Sequence, residues 1–214
     1  MKRLKTLGIA ISNLLFPFVF WACTQDLHYV EGRLIVVDSS IEENEEIARW
    51  LKPYKDSINS ALNDTITILN AGYCKDDSLG MLIIRQFEQA IFMINRDTPS
   101  LIVQNKGGIR KTCLDAGPLL LRDIYQIMPF DNIVAEQCLP QQTFDSLLKT
   151  IRTRGWYFKV YSTQCEPCCR VILSDYLASG GDDLSFLRKF KFSTTQNLLL
   201  RDAFRKGFEI PDEP

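Results

Sequence analysis

From Glu43 to Lys206, strand-like runs and apolar repeats at helical spacing follow one another without a long block of either kind. That alternation restricts the chain to a sheet with helices layered on it. Ile47, Trp50, Leu51, Tyr54, Ile58, Ala61 and Leu62 recur at helical spacing, and Pro53 inside the pattern predicts a kink or a split. Asp38-Ser39-Ser40 offers helix caps, and Glu42, Glu43, Glu45 and Glu46 suit a helix N-terminus. Asp64–Leu69 reads as a strand, Leu82–Ile94 as a helix, and Ser100–Gln104 as a strand. Leu119–Ile127 is a short helix stopped by Pro129, and Ile133–Gln137 is a strand. Phe144, Leu147, Leu148 and Ile151 mark the next helix, followed by strands at Trp156–Tyr161 and Arg170–Leu173. A final helical region is expected from about Leu184 to Lys206, and a short hairpin around Glu31-Gly32 within Tyr29–Asp38. The expected class is α+β with α/β-type mixed layers: a mixed sheet flanked by helices.

The N-terminus predicts export. Lys2, Arg3 and Lys5 precede an uncharged, mostly apolar run from Thr6 to Ala22, then Cys23 and the polar Thr24-Gln25-Asp26. This is the build of a secretory signal, and the run is too short and too broken by Pro17 to span a membrane. Ala22-Cys23 resembles the lipobox of bacterial lipoproteins, with Phe20 and Trp21 departing from its usual aliphatic and small residues. Lipidation at Cys23 would tether the chain to the cell envelope, at its periplasmic face or the cell surface. The expected organisation is a signal at 1–22, an N-terminal segment with short strands at 23–41, one domain at 42–208 and a tail at 209–214.

Loss of residues 1–22 changes 25 basic residues against 26 acidic to 22 against 26, a net charge of −4. A mildly acidic chain without a basic run argues against binding nucleic-acid polymers through their phosphates. Beyond Cys23 there are six cysteines: Cys74, Cys113, Cys138, Cys165, Cys168 and Cys169. An even count in an exported chain permits disulfides, with the pairing left open. Cys165-Glu166-Pro167-Cys168-Cys169 invites a metal or redox reading. Zinc usually takes four Cys or His ligands, however, and the only histidine, His28, is remote in sequence. A strand-like Val171-Ile172-Leu173 follows where a redox motif would have a helix, so a local disulfide or a tight turn is the favoured reading.

Three glycine-bearing segments remain: Ser78-Leu79-Gly80 ahead of a helix, Asn105-Lys106-Gly107-Gly108-Ile109-Arg110 after a strand, and Asp175 to Asp183, which holds Gly180-Gly181. Paired glycines permit positive φ and close backbone approach. Arg110 supplies a forked cation suited to phosphate or carboxylate.

Taken in order, Asn-x-Gly-Gly-Ile-Arg, a helix ending in Pro-Phe-x-Asn, and Tyr-Leu-Ala-x-Gly-Gly-Asp resemble the C-terminal domain of the 5′-nucleotidase/UDP-sugar hydrolase/2′,3′-cyclic phosphodiesterase family. The resemblance covers about Glu43 to Phe208, with Ser78-Leu79-Gly80-Met81-Leu82 similar to its Leu-Gly-Asn-Leu segment. It implies a nucleotide pocket in which Phe130 and Tyr176 sandwich the base, each stack contributing about 1–3 kcal/mol. It further implies that Asn105, with Gly107 and Gly108, meets the base. Asp182, with Gly180 and Gly181, would meet the ribose, and Arg110 and Lys75 the phosphate. Lys75 stands where an arginine is expected and loses its bidentate fork, and Met81 and Arg85 replace an Asn and an Asp. The segment between Trp156 and Leu173 is shorter than usual.

The same resemblance implies what is missing. The family's chemistry belongs to an N-terminal metallophosphatase domain holding two metal ions through Asp, Asn and several His. One histidine and about twenty residues ahead of the first helix cannot supply it. No catalytic residue, metal or cofactor is therefore expected in this chain. Two readings follow: the nucleotide-binding half of a split hydrolase, completed by a separately encoded metallophosphatase, or a stand-alone nucleoside- or nucleotide-binding lipoprotein.

Overall fold

A computed structural model describes Gly32 and residues 35–36, 38, 40–75, 78–95 and 98–209. The expected signal at 1–22, Cys23 and most of the expected hairpin lie outside the described residues. The chain divides into two units, Met1–Ala48 and Arg49–Pro214.

In the first unit, Asp38 accepts hydrogen bonds from the amide and hydroxyl of Ser40 at 2.9 and 2.6 Å, closing a turn. The helix cap is Asn44 rather than the Asp38-Ser39-Ser40 cluster. The Asn44 side-chain oxygen accepts from the amides of Glu46 and Ile47, each at 3.1 Å, so α1 (Glu45–Leu62) begins later than its acidic run. The helix runs unbroken through Pro53. None of its residues is buried, so the carbonyl that Pro53 leaves without a donor is open to water. Trp50, Tyr54 and Ile58 are all more than half exposed.

The second unit continues with β1 (Thr65–Leu69), β2 (Tyr73–Cys74), α2 (Ser78–Asn95), β3 (Leu101–Gln104), a 3-10 turn (Lys106–Gly108), β4 (Cys113–Leu114), β5 (Gly117–Leu120) and α3 (Leu121–Ile127). Then come β6 (Ile133–Leu139), α4 (Gln141–Thr153), β7 (Tyr157–Val160), β8 (Cys169–Ser174), α5 (Asp175–Ala178), β9 (Phe192–Leu199) and α6 (Leu200–Gly207). Five strands form one mixed sheet in the order β7-β3-β8-β6-β9. Only β3 and β8 run parallel; the other neighbours are antiparallel. The expected mixed α+β fold is the observed one.

Alternation along the central strands builds two cores. Ile102, Val134 and Ile172 face α2, α3 and α6, where Ile83, Phe87, Ile124 and Phe204 complete one buried cluster. Leu101, Val103, Ala135, Val171 and Leu173 face the other way, onto Phe144, Leu147 and Ile151 of α4. The sheet is thus the middle of three layers.

Two expectations change. Ser78-Leu79-Gly80 is the first turn of α2 rather than a loop ahead of it, and a Cβ at Gly80 would strike the Tyr157 ring. The region Leu184–Lys206 is a single 3-10 turn (Ser185–Leu187), then the edge strand β9, and only then α6. The first six residues of β9 are almost all exposed, so the strand carries no buried alternation to betray it. Gln196 and Asn197 adopt positive φ (48° and 54°), and the β6–β9 register shifts between Ile133 and Ala135.

The six cysteines form Cys74–Cys113, Cys138–Cys168 and Cys165–Cys169. The Cys165–Cys169 segment is a local disulfide, as its sequence favours. Three disulfides fit a domain that works outside the cytoplasm. Among the described residues no helix is long and apolar enough to cross a membrane.

Candidate functional site

Strand direction gathers the glycine loops at one edge of the sheet. β3 and β8 are parallel neighbours, so the loops leaving Gln104 and Ser174 emerge side by side. Antiparallel β6 starts at this edge, with Val134 opposite Ser174, and brings the Pro129–Asn132 segment there. β7 also starts there, with Tyr157 opposite Gln104. A crevice at the carboxyl ends of parallel strands is where open α/β sheets usually bind ligands.

The crevice is an open cavity of about 370 Å³ lined by Asn105, Gly107, Gly108, Arg110, Phe130, Asn132, Tyr176 and Asp182. Its size falls within the range of small-molecule sites. Seven of the residues expected at a site line it together: Asn105, Gly107, Gly108, Arg110, Phe130, Tyr176 and Asp182. Gly180 and Gly181 shape the turn beneath. Lys75 is not among the lining residues; it follows β2 beside the Cys74–Cys113 disulfide, its amide donating to the Thr112 carbonyl at 2.7 Å.

The two aromatics are about equally open, Phe130 at 41% and Tyr176 at 45% exposed. Phe130 is positioned through its backbone. Arg201, from the first turn of α6, donates to the Phe130 carbonyl at 3.1 Å and pairs with Asp131 at 2.5 Å. The same guanidinium lies 4.8 Å from the Tyr125 ring centre, and the Arg110 guanidinium lies 5.2 Å from that of Phe130. Arg110 is itself fixed by its amide, which donates to the Ile127 carbonyl at 2.8 Å.

Tyr176 is positioned through its side chain. Its hydroxyl donates to Asp182 Oδ1 at 2.9 Å and accepts from the Asp182 amide at 3.1 Å. Its ring lies over Gly181, where any Cβ would collide with it. Ser174 caps α5 by accepting from the Leu177 amide, and Asp175 accepts from the amides of Ile133 and Tyr176, each at 2.9 Å. The bond from Ile133 ties the start of α5 to the start of β6. Below the turn, the fully buried Gln137 donates to the carbonyls of Leu187 and Phe190 at 3.1 and 2.8 Å.

Asp182 joins the two loops. Asn105, 5% exposed, donates from Nδ2 to Asp182 Oδ2 at 2.6 Å across 77 residues of sequence. Gln104 Nε2 donates to Asn105 Oδ1 at 3.0 Å and so sets which way the Asn105 amide points. Arg154 donates to the Asp182 carbonyl.

The glycines divide between the two uses expected of them, close approach and positive φ. Gly107 and Gly108 do not use positive φ; the pair sits in a 3-10 turn. A Cβ on Gly108 would collide with Gln104 Nε2 and come within 2.8 Å of Asn105 Oδ1. The loop therefore needs glycine for room. Of the four glycines expected at the site, Gly180 is the one that uses its conformational freedom, at φ +87°.

Three contributors escape a reading of the sequence: Gln104, Asn132 and Arg201. Asn132 stood in the Pro-Phe-x-Asn motif and could have been found there. Arg201 gave no signal, because the region around it read as uninterrupted helix. Among the described residues, no group of three or more His, Cys, Asp or Glu is placed to hold a metal ion. The cavity offers one carboxylate, so its residues do not fit a two-metal centre.

No protein-family model and no curated protein matches the sequence. Solved structures do match the fold. A 5′-nucleotidase precursor from Thermus thermophilus is similar over 77% of this chain and 39% of its own, with TM-score 0.62 and 16% identity. A 5′-nucleotidase from Candida albicans is similar over 76% and 43%, with TM-score 0.56 and 9% identity. An NAD nucleotidase from Haemophilus influenzae is similar over 76% and 38%, with TM-score 0.52 and 15% identity. The chain thus has the fold of one part of a 5′-nucleotidase and spans about two-fifths of the length of these relatives.

Proposed function

We propose that this chain is the nucleotide-binding half of a split 5′-nucleotidase-type hydrolase, acting in nucleotide catabolism outside the inner membrane. A separate metallophosphatase chain supplies the catalysis. The observation that carries this reading is the convergence of two half-exposed aromatics, a buried amide, a carboxylate and an arginine on one cavity at the carboxyl edge of the sheet. Proteins named as 5′-nucleotidases share the fold, which supports the substrate class.

In this reading a base lies between Phe130 and Tyr176, and Asn105 meets its edge. Asp182 accepts from the ribose hydroxyls, and Arg110 takes the phosphate, displaced from the Phe130 ring as the base arrives. Lys75 does not line the cavity, so Arg110 is the phosphate contact. A lipid on Cys23 holds the domain to the envelope. The chain's own work is to bind and orient; the metal ions belong to the partner.

The uncovered Trp50, Tyr54 and Ile58 on α1 favour a chain that meets a second protein over a stand-alone binding lipoprotein. Calorimetric titration of adenosine and AMP into the full chain and its Phe130→Ala variant tests the pocket. Micromolar binding by the wild type, weakened in the variant, is expected. No binding by the wild type would sink both nucleotide readings. Hydrolysis of AMP that appears only on mixing with a metallophosphatase would select the split enzyme, and unchanged inactivity the binding lipoprotein.

A further inference from the structure

Tyr176 does more than offer a ring. Its hydroxyl grips Asp182 at two points, the carboxylate at 2.9 Å and the amide at 3.1 Å. Asp182 and its neighbour Asp183 both adopt positive φ, 49° and 57°, a conformation that residues with a side chain seldom hold unaided. The phenol closes this turn upon itself. From the opposite loop, Asn105 holds the second carboxylate oxygen at 2.6 Å, its own amide turned by Gln104.

Each oxygen of an ionised carboxylate can accept about two hydrogen bonds. In Asp182 each oxygen already accepts one from a fixed protein donor, Tyr176 on Oδ1 and Asn105 on Oδ2. The carboxylate therefore cannot rotate, and each oxygen keeps one acceptor direction for a ligand. Two acceptors at that separation suit two hydroxyls on adjacent carbons.

We propose that the Tyr176 hydroxyl is a positioning residue: by locking Asp182 it makes the cavity select ligands that carry a vicinal diol over those that lack one. This rests on the nucleoside reading of the cavity. It gives one oxygen atom a role beyond stacking and beyond closing the turn. A phenylalanine at 176 would stack as well but would leave the carboxylate held at Oδ2 alone and the Asp182 amide without its acceptor.

The test compares adenosine with 2′,3′-dideoxyadenosine by calorimetry on the full chain, wild type and Tyr176→Phe. The wild type is expected to favour adenosine by roughly tenfold or more, the range of one charge-assisted hydrogen bond. In Tyr176→Phe that ratio is expected to collapse to about twofold, mainly through loss of adenosine affinity. A preserved ratio, with both ligands weakened together, would show a merely structural hydroxyl and overturn the proposal. A ratio that rises would mean that the phenol competes with the diol, and overturns it equally. If Tyr176→Phe does not fold, Asp182→Asn carries the test, and an undiminished adenosine preference there would likewise reject it. A wild type that binds neither nucleoside defeats the nucleoside reading itself, an outcome separate from a preserved ratio.

Discussion

The two aromatic walls of the cavity are nearly equal in exposure and opposite in how they are held. Phe130 hangs from its backbone carbonyl on a buried arginine, and the Arg110 guanidinium lies over its ring. Tyr176 is fastened by its own hydroxyl, and its ring is seated on the Gly181 backbone. The Phe130 wall is thus a replaceable surface on a rigid bracket, whereas the Tyr176 wall belongs to the polar network that reads the ligand. Changes at Phe130 should scale with lost ring area. Changes at Tyr176 should depend on a single atom.

The largest effect expected is on ligand affinity at the first wall. Phe130→Ala removes one stacking face, worth about 1–3 kcal/mol, or a drop of roughly 5- to 150-fold in affinity for adenosine. Because the ring is 41% exposed, the variant should melt close to the wild type. A large fall in melting temperature would mean that the ring is core and not wall, and would break the comparison.

Next comes the bracket. Arg201 donates to a backbone carbonyl from a largely buried position, and its loss should cost stability by about 2 kcal/mol, with loosened nucleoside binding through the displaced Phe130 segment. Asp131, its ion-pair partner, is 80% exposed in its side chain, and a pair so open contributes little. Denaturant unfolding should therefore place Asp131→Ala within about 0.5 kcal/mol of the wild type. Equal costs for the two variants would show that the ion pair, rather than the carbonyl bond, holds the wall.

The same contrast explains what a reader of the sequence could find. Leu101-Ile102-Val103 and Val171-Ile172-Leu173 are buried on both faces, and such unbroken apolar runs announce themselves as inner strands. The Phe130 and Tyr176 motifs were legible because each stands beside a stop or glycine signal, Pro129 for one and Gly180-Gly181 for the other. β9 was not legible, since an edge strand exposed along most of its length carries no alternation, and with it went the boundary of α6 and the role of Arg201. Gln104 was hidden for another reason. It ends a recognisable strand, but its buried amide acts on the neighbouring Asn105, a partnership that spacing does not reveal.

The smallest effect expected lies in the adjacent glycines on the Asn105 side. At Gly107 the nearest atom to an added Cβ is Asn105 Nδ2 at 3.5 Å, an ordinary contact, and Gly107→Ala should leave adenosine affinity within about twofold. At Gly108 an added Cβ collides with Gln104 Nε2 and comes within 2.8 Å of Asn105 Oδ1, both at the far ends of side chains that would have to shift. Gly108→Ala should therefore fold, but without the bond that turns the Asn105 amide toward Asp182. Losing one neutral hydrogen bond in that chain corresponds to about 1 kcal/mol, or roughly a fivefold loss of adenosine affinity. Calorimetry on both variants decides the point. If the two glycines respond alike, Gln104 does not act on Asp182 through Asn105.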